Sequence, residues 1–207
     1  MDLSASNQAQ LKSSTQDTTT LFIKFCETLK HLPLPVISLI NGPVLGGGNV
    51  LLFLSDIRIM ASDAWIQFSE VYRGLVPAMI SCYIVPRAGG LAALDLFLTG
   101  RRLDAEGCKA MGFVTEVAKD NADLVAKADK FIQYFLTAAP GAIALCKNLI
   151  HHVLTHSHEQ NVEEAKKVFV QCVKGPEMHE GVKAFKDKRK PSWVPGAFPK
   201  NLGASQL

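Results

Sequence analysis

The sequence predicts an α/β fold followed by a run of helices, and three observations carry that prediction. Short apolar runs rich in Val and Ile alternate with helical stretches between residues 33 and 117. A glycine triplet, Gly46-Gly47-Gly48, stands between one such run and an apolar helical segment. From about Asn121 onward, apolar residues recur at helical spacing and no strand-like run intervenes. Three stretches are therefore expected: an α/β core over 1–117, a helical region over 118–192, and a tail over 193–207.

The elements follow in order. Residues 4–20 are rich in Ser, Thr, Gln and Asn and predict a loop. Leu21, Phe25, Leu29 and Leu32 form a helical stripe from about Thr18 to His31, stopped by Pro33 and Pro35. Val36 to Ile40 is an apolar run between a proline and Asn41-Gly42-Pro43, as expected of a strand covered on both faces. After the triplet, Asn49 to Ser55 predicts a helix. Strands are expected at Ile57–Ala61 and Trp65–Phe68, then a loop over 69–77. Helices should run from Ala78 to Ala88, interrupted by Pro86, and from Leu91 to Leu98. Asp104, with Glu106 behind it, caps a further helix ending at Gly112. Phe113–Val117 predicts a strand. Leu124, Ala128 and Phe131 open a series of amphipathic helices, two of which start at Pro140 and Pro176. Apolar-faced helices of this kind pack on a partner subunit in many proteins, so an oligomer is expected.

Composition narrows the function classes. A net charge of +3 is too small to argue for nucleic acid, and no apolar run reaches the ~20 residues that span a bilayer. The five cysteines are widely spaced and odd in number, which suggests reduced thiols and an intracellular home; mitochondrial, peroxisomal and cytoplasmic compartments all stay open. The C-terminal Ser205-Gln206-Leu207 resembles a peroxisomal address without its basic middle residue. His151, His152, His156 and His158 lack acidic neighbours at ligand spacing, so no metal is expected. Lys183, Lys186, Lys188, Arg189 and Lys190 form a basic cluster that suits either an anionic ligand or solvent.

Two features carry chemistry. Glycines without Cβ atoms let another group approach the backbone closely, and free N–H groups at a helix start favour a developing negative charge. An oxyanion would suit that place; a glycine turn that only packs a strand against a helix is the other reading. Glu70 lies in Phe68-Ser-Glu-Val-Tyr-Arg-Gly-Leu-Val-Pro-Ala-Met-Ile, just after a predicted strand. A carboxylate in such apolar surroundings can move protons near neutral pH; a solvated carboxylate, or one paired with Arg73, is the alternative.

Taken together, Ile40-Asn-Gly-Pro-Val-Leu-Gly-Gly-Gly, Ser55-Asp-Ile-Arg-Ile and Glu70-Val-Tyr-Arg-Gly-Leu-Val-Pro resemble the crotonase (enoyl-CoA hydratase/isomerase) superfamily. Leu98-Thr-Gly-Arg-Arg-Leu-Asp-Ala-Glu-Gly and Glu180-Gly-Val-Lys-Ala-Phe-Lys-Asp-Lys-Arg-Lys-Pro resemble later signatures of that family. The resemblance implies a crotonase-like β-β-α spiral, here lacking its first turns, followed by a C-terminal helical trimerisation region in a homotrimer or hexamer. It implies an acyl-CoA thioester as ligand, with coenzyme A entering as part of the substrate and no separate cofactor.

By position, the resemblance makes the N–H of Gly47 one donor of an oxyanion hole and assigns the other to Met1, ahead of Asp2-Leu3. Glu70 becomes the catalytic acid/base. Gly46, Gly48, Val50 and Pro77 line the substrate, and Phe185, Lys188 and Arg189 approach the CoA moiety; Asp56 is structural. One departure matters. Enoyl-CoA hydratases carry a second glutamate where this chain has Val50, and valine can neither accept nor donate a proton. A single glutamate suffices to shuttle a proton between C2 and C4, the family's isomerase chemistry. A catalytically silent homologue serving as a binding or oligomerisation module, and a hydratase or decarboxylase using one glutamate, are the competing expectations.

Overall fold

The computed structural model describes residues 5–194, with side chains from Asp17 onward. Two compact units are present. One contains the helix α1 (Ala5–Lys30), ending at Leu32. The loop expected over residues 4–20 is thus helical from Ala5. Between Ala5 and Lys30 there is neither Gly nor Pro, and Ser, Thr and Gln cost a helix only tenths of a kcal/mol each, at most about 0.7 relative to Ala. Turn-like composition without a breaker does not stop a helix.

The second unit begins at Pro33 and contains two three-stranded sheets. One has the order β1 (Ile37–Ile40), β3 (Ile57–Ala61), β6 (Glu116–Ala118), all parallel. The other has the order β2 (Val44–Leu45), β4 (Trp65–Gln67), β5 (Leu103–Asp104). In it β2 runs parallel to β4, and β5 antiparallel. The chain passes from β1 to β2 and into α2 (Asn49–Leu54), then from β3 to β4 and on to α3 (Ala78–Ala88) and α4 (Gly90–Thr99). Each β-β-α turn adds one strand to each sheet, which is the geometry of a spiral.

The first strand begins at Ile37, and it is not covered on both faces as its apolar run suggested. One face is open, since Ile40 is buried but Leu39 is exposed, and among the described residues β1 pairs with β3 alone. The strand expected at 113–117 shifts to Glu116–Ala118. Phe113 and Val114 are buried without pairing, Phe113 lying edge-on to Phe53 at 5.1 Å. The core gathers Leu52, Leu54, Ile59, Met60, Ile66 and Phe68 from α2, β3, β4 and the residue after β4. Asp104 caps α5 (Ala105–Ala110) as expected, accepting the Gly107 N–H at 2.8 Å.

Four helices follow among the described residues: α6 (Asn121–Thr137), α7 (Pro140–Val153), α8 (His158–Lys174) and α9 (Pro176–Lys186). Ser157 and Gln160 form a capping box at α8. Glu177 of α9 accepts the Gly141 and Ala142 N–H groups at 2.8 and 3.0 Å, so a carboxylate from a later helix caps the start of α7. Apolar side chains remain exposed on the last two helices, among them Phe169, Val173, Met178 and Val182. No helix among the described residues is long and apolar enough to cross a membrane.

Candidate active site

The glycine triplet forms a single 3₁₀ turn, Gly46–Gly48, that leads directly into α2. Gly46 has φ +48°, in the left-handed region where a Cβ is costly. The turn is pinned from below by Asn49, which has no accessible surface. Its Nδ2 donates to the carbonyls of Gly46 at 3.0 Å and Gln67 at 3.1 Å, tying the turn to β4. Gln67 Nε2 in turn donates to Gly100 O at 2.7 Å. The first N–H groups of a helix have no intrahelical acceptor, so the start of this turn offers donors to a ligand. A methyl group placed at Gly47 would meet no atom within 4 Å, so the space beside it is open.

Glu70 opens a second 3₁₀ turn, Glu70–Arg73, inside the stretch expected to be a plain loop. Gly74, at φ +67°, ends that turn, and the Leu75 N–H donates back to Glu70 O at 3.1 Å. Tyr72 anchors it by donating to Thr99 O at 2.7 Å. The turn aims the Glu70 carboxylate at the glycine loop: Oε1 lies 3.2 Å from where a Cβ on Gly46 would stand. Any residue larger than glycine would press on that carboxylate. Oε2 is buried and has no hydrogen-bond partner among the described residues. Arg73 does not neutralise it, because its guanidinium donates to Ser69 Oγ at 2.8 Å and Ser69 O at 3.3 Å instead. Of the two alternatives for Glu70, neither the arginine pair nor the fully solvated loop holds. A buried acceptor without a donor is costly in a finished core and useful beside a substrate.

The structure therefore brings Gly46, Gly47, Gly48 and Glu70 together. Val50 has no accessible surface and belongs to the core face of α2. Pro77 is buried at the start of α3. Met1 lies outside the described residues, as do Ser205, Gln206 and Leu207. Phe185 is 85% exposed on the last turn of α9. Lys188 follows with φ +55°, and Arg189 forks onto Glu180 at 2.7 and 3.0 Å. That guanidinium, joined by the Ser192 N–H, holds the Glu180 carboxyl down at about 2. The basic cluster is thus partly neutralised by its own helix. Asn49 is the site residue that sequence reasoning passed over. A lone amide at the head of the apolar run Asn49-Val-Leu-Leu-Phe-Leu was the available signal.

Known proteins resemble this chain in sequence and in fold. The family model described as enoyl-CoA hydratase/isomerase matches residues 1–195. A probable enoyl-CoA hydratase of Bacillus subtilis is 31% identical over 168 residues, covering 81% of this chain and 65% of that protein. A mitochondrial methylglutaconyl-CoA hydratase of Rattus norvegicus is 31% identical over 169 residues, covering 80% of this chain and 54% of that protein. The chain thus spans a little over half to two thirds of the length of these relatives. Among solved structures, Pseudomonas aeruginosa AtuE superposes with TM-score 0.83 at 29% identity, covering 91% of this chain and 74% of AtuE. An enoyl-CoA hydratase of Shewanella pealeana superposes with TM-score 0.82 at 29% identity, covering 90% and 71%. A spiral of β-β-α turns, a glycine turn facing a single glutamate, and these matches together place the chain in the crotonase superfamily, the enoyl-CoA hydratase/isomerase family.

Proposed function

We propose that this chain acts on acyl-CoA thioesters by moving one proton through an enolate, with isomerisation of a 3-enoyl-CoA to the conjugated 2-enoyl-CoA as its reaction. The observation that carries this reading is the Glu70 carboxylate, held against Gly46 with Oε2 buried and unpartnered. Glu70 takes a proton from C2 of the thioester. The negative charge that builds on the thioester oxygen is met by the Gly47 N–H at the helix start. The protonated Glu70 then returns the proton at C4, so no proton is gained or lost overall. Hydration would call for a second acid/base, and the nonionisable Val50 stands where the family's hydratases carry one. The exposed apolar residues of α8 and α9 support assembly as a trimer or hexamer.

The test follows the absorbance of the conjugated thioester formed from a 3-enoyl-CoA. Glu70→Gln keeps the shape and removes the base, and turnover should fall by about 10²–10⁴-fold with folding unchanged. Equal rates for the two proteins would sink the role of Glu70. Tight acyl-CoA binding without turnover in the parent would favour the silent binding module, and a 3-hydroxyacyl product would favour hydration.

A further inference from the structure

A second cavity, of ≈ 470 Å³, lies where the far end of α2 meets the C-terminal helices, and neither Glu70 nor the glycine turn lines it. Its size falls within the range of small-molecule pockets, about 300–1,000 Å³. Phe53, Phe113, Phe135, Ile150 and Leu154 give it apolar walls. Three cations, Arg58, Arg87 and Lys147, face into it with a single carboxylate, Asp56.

That carboxylate is already engaged. Asp56 Oδ2 accepts Lys147 Nζ at 2.6 Å and the Val36 N–H at 2.8 Å. Arg58 spends Nη1 on Ser55 O at 2.7 Å, with Asp56 O further off at 3.5 Å. Arg87 makes no hydrogen bond or ion pair among the described residues. Both arginines are half-buried. Burial holds each below the usual arginine range; for Arg58 the like charge of Arg87 adds to the effect, and the nearby Asp56 carboxylate opposes it for both. Two neighbouring cations, partly removed from water and sharing one carboxylate with Lys147, are an unfavourable arrangement that a further anion would relieve. A guanidinium fork fits a carboxylate in two parallel hydrogen bonds, and the aromatic and aliphatic walls ask for an apolar body behind that head.

We propose that this cavity is a binding site for a carboxylate-headed apolar molecule, of the aliphatic-acid class, with Arg87 as the primary anchor and Arg58 as the second. The site stands apart from the acyl-CoA reading and does not depend on it.

Calorimetric titration of the full chain with octanoate, and with 1-octanol as the uncharged control, tests the proposal. Octanoate should bind saturably to one site, and octanol should bind far more weakly. Losing a bidentate charged contact costs about 1.5–3 kcal/mol, so Arg87→Gln should weaken octanoate by about ten- to a hundredfold. Arg87→Lys should fall between the two, because it keeps the charge and loses the fork. Glu70→Gln should leave octanoate affinity unchanged, which separates this site from any acyl pocket beside Glu70. A measurement on the unmutated protein guards against a folding defect: octanoate should protect Arg87 from an arginine-modifying reagent such as phenylglyoxal, read by peptide mapping. Absence of saturable binding, octanol matching octanoate, full affinity in Arg87→Gln, or unprotected Arg87 would each overturn the assignment.

Discussion

The two ends of α2 hold acidic side chains in opposite circumstances. At its entry, Glu70 faces Gly46 with one oxygen buried and unpartnered. At its exit, Asp56 accepts a backbone N–H and the ammonium of Lys147, itself only 8% exposed. The same helix thus separates a carboxylate whose lone pairs are spent on the fold from one whose lone pairs are free for a substrate proton. Asp56 joins the entrance to β1, the corner before β3 and the middle of α7 at one atom, so its loss should be felt as stability. Glu70 joins nothing, so its loss should be felt as chemistry.

The largest expected effect breaks the structural end. Asp56→Ala leaves the buried Lys147 ammonium facing Arg58 and Arg87 without a counter-charge. Removing one partner of a buried ion pair costs about 3–5 kcal/mol. Denaturant unfolding should register that loss, whereas Glu70→Gln should shift the midpoint little. Equal midpoints for Asp56→Ala and the parent would show that Asp56 does not anchor this corner.

A smaller effect sharpens the catalytic end. Gly46→Ala places a side chain at φ +48°, at a cost of roughly 1–2 kcal/mol. Its Cβ would also stand 3.2 Å from Glu70 Oε1, tight enough to displace the carboxylate by a few tenths of an ångström. Small misplacements of a reacting group cost rate steeply, and about a tenfold loss of turnover is expected. Stability and turnover should both fall here, unlike either carboxylate substitution. A Gly46→Ala protein with parental turnover would mean that the approach of Glu70 to the turn is not used in the reaction.

How much of this was legible in the sequence follows the range of each interaction. The glycine turn, the Asp104 cap, the span of α3 and the starts of α7 and α9 rest on neighbours a few residues apart, and local pattern found them. Glu70 was found as a residue type in a motif, but its lack of a partner depends on Arg73 turning to Ser69, which no spacing announces. Asp56 and Lys147 are 91 residues apart and Glu177 caps a helix 36 residues earlier, so both contacts exist only once the spiral and the helices have packed. The exposed face of β1 was missed for the same reason: an apolar run reports a preference for burial, while tertiary packing decides which face is covered. The cavity between Arg58 and Arg87 was likewise invisible, because the two arginines are brought together only by tertiary structure.

The smallest effect concerns a third carboxylate, at the surface, which is neither free like Glu70 nor buried with a cation like Asp56. Glu180 accepts two hydrogen bonds from Arg189 and one from the Ser192 N–H, and its carboxyl sits at about 2. The unfolded value for glutamate is about 4.3. The folded value is the lower of the two, so ionised Glu180 favours the native arrangement above about pH 4.3. That contribution drains away as pH falls toward 2. What loosens is the segment after α9: Ser192 leaves Glu180, and the neighbouring Trp193, whose Nε1 donates to Thr137 O at 3.0 Å, loses its support. The indole N–H resonance of Trp193 should therefore shift between about pH 4.3 and pH 2 in the parent and be already shifted at neutral pH in Glu180→Gln. If the resonance moves only when the whole protein unfolds, and does so at the same pH in both, Glu180 does not fasten this segment. If it moves as expected, then the surface carboxylate holds a local segment, Asp56 holds the fold, and Glu70 alone of the three is left with no structural work.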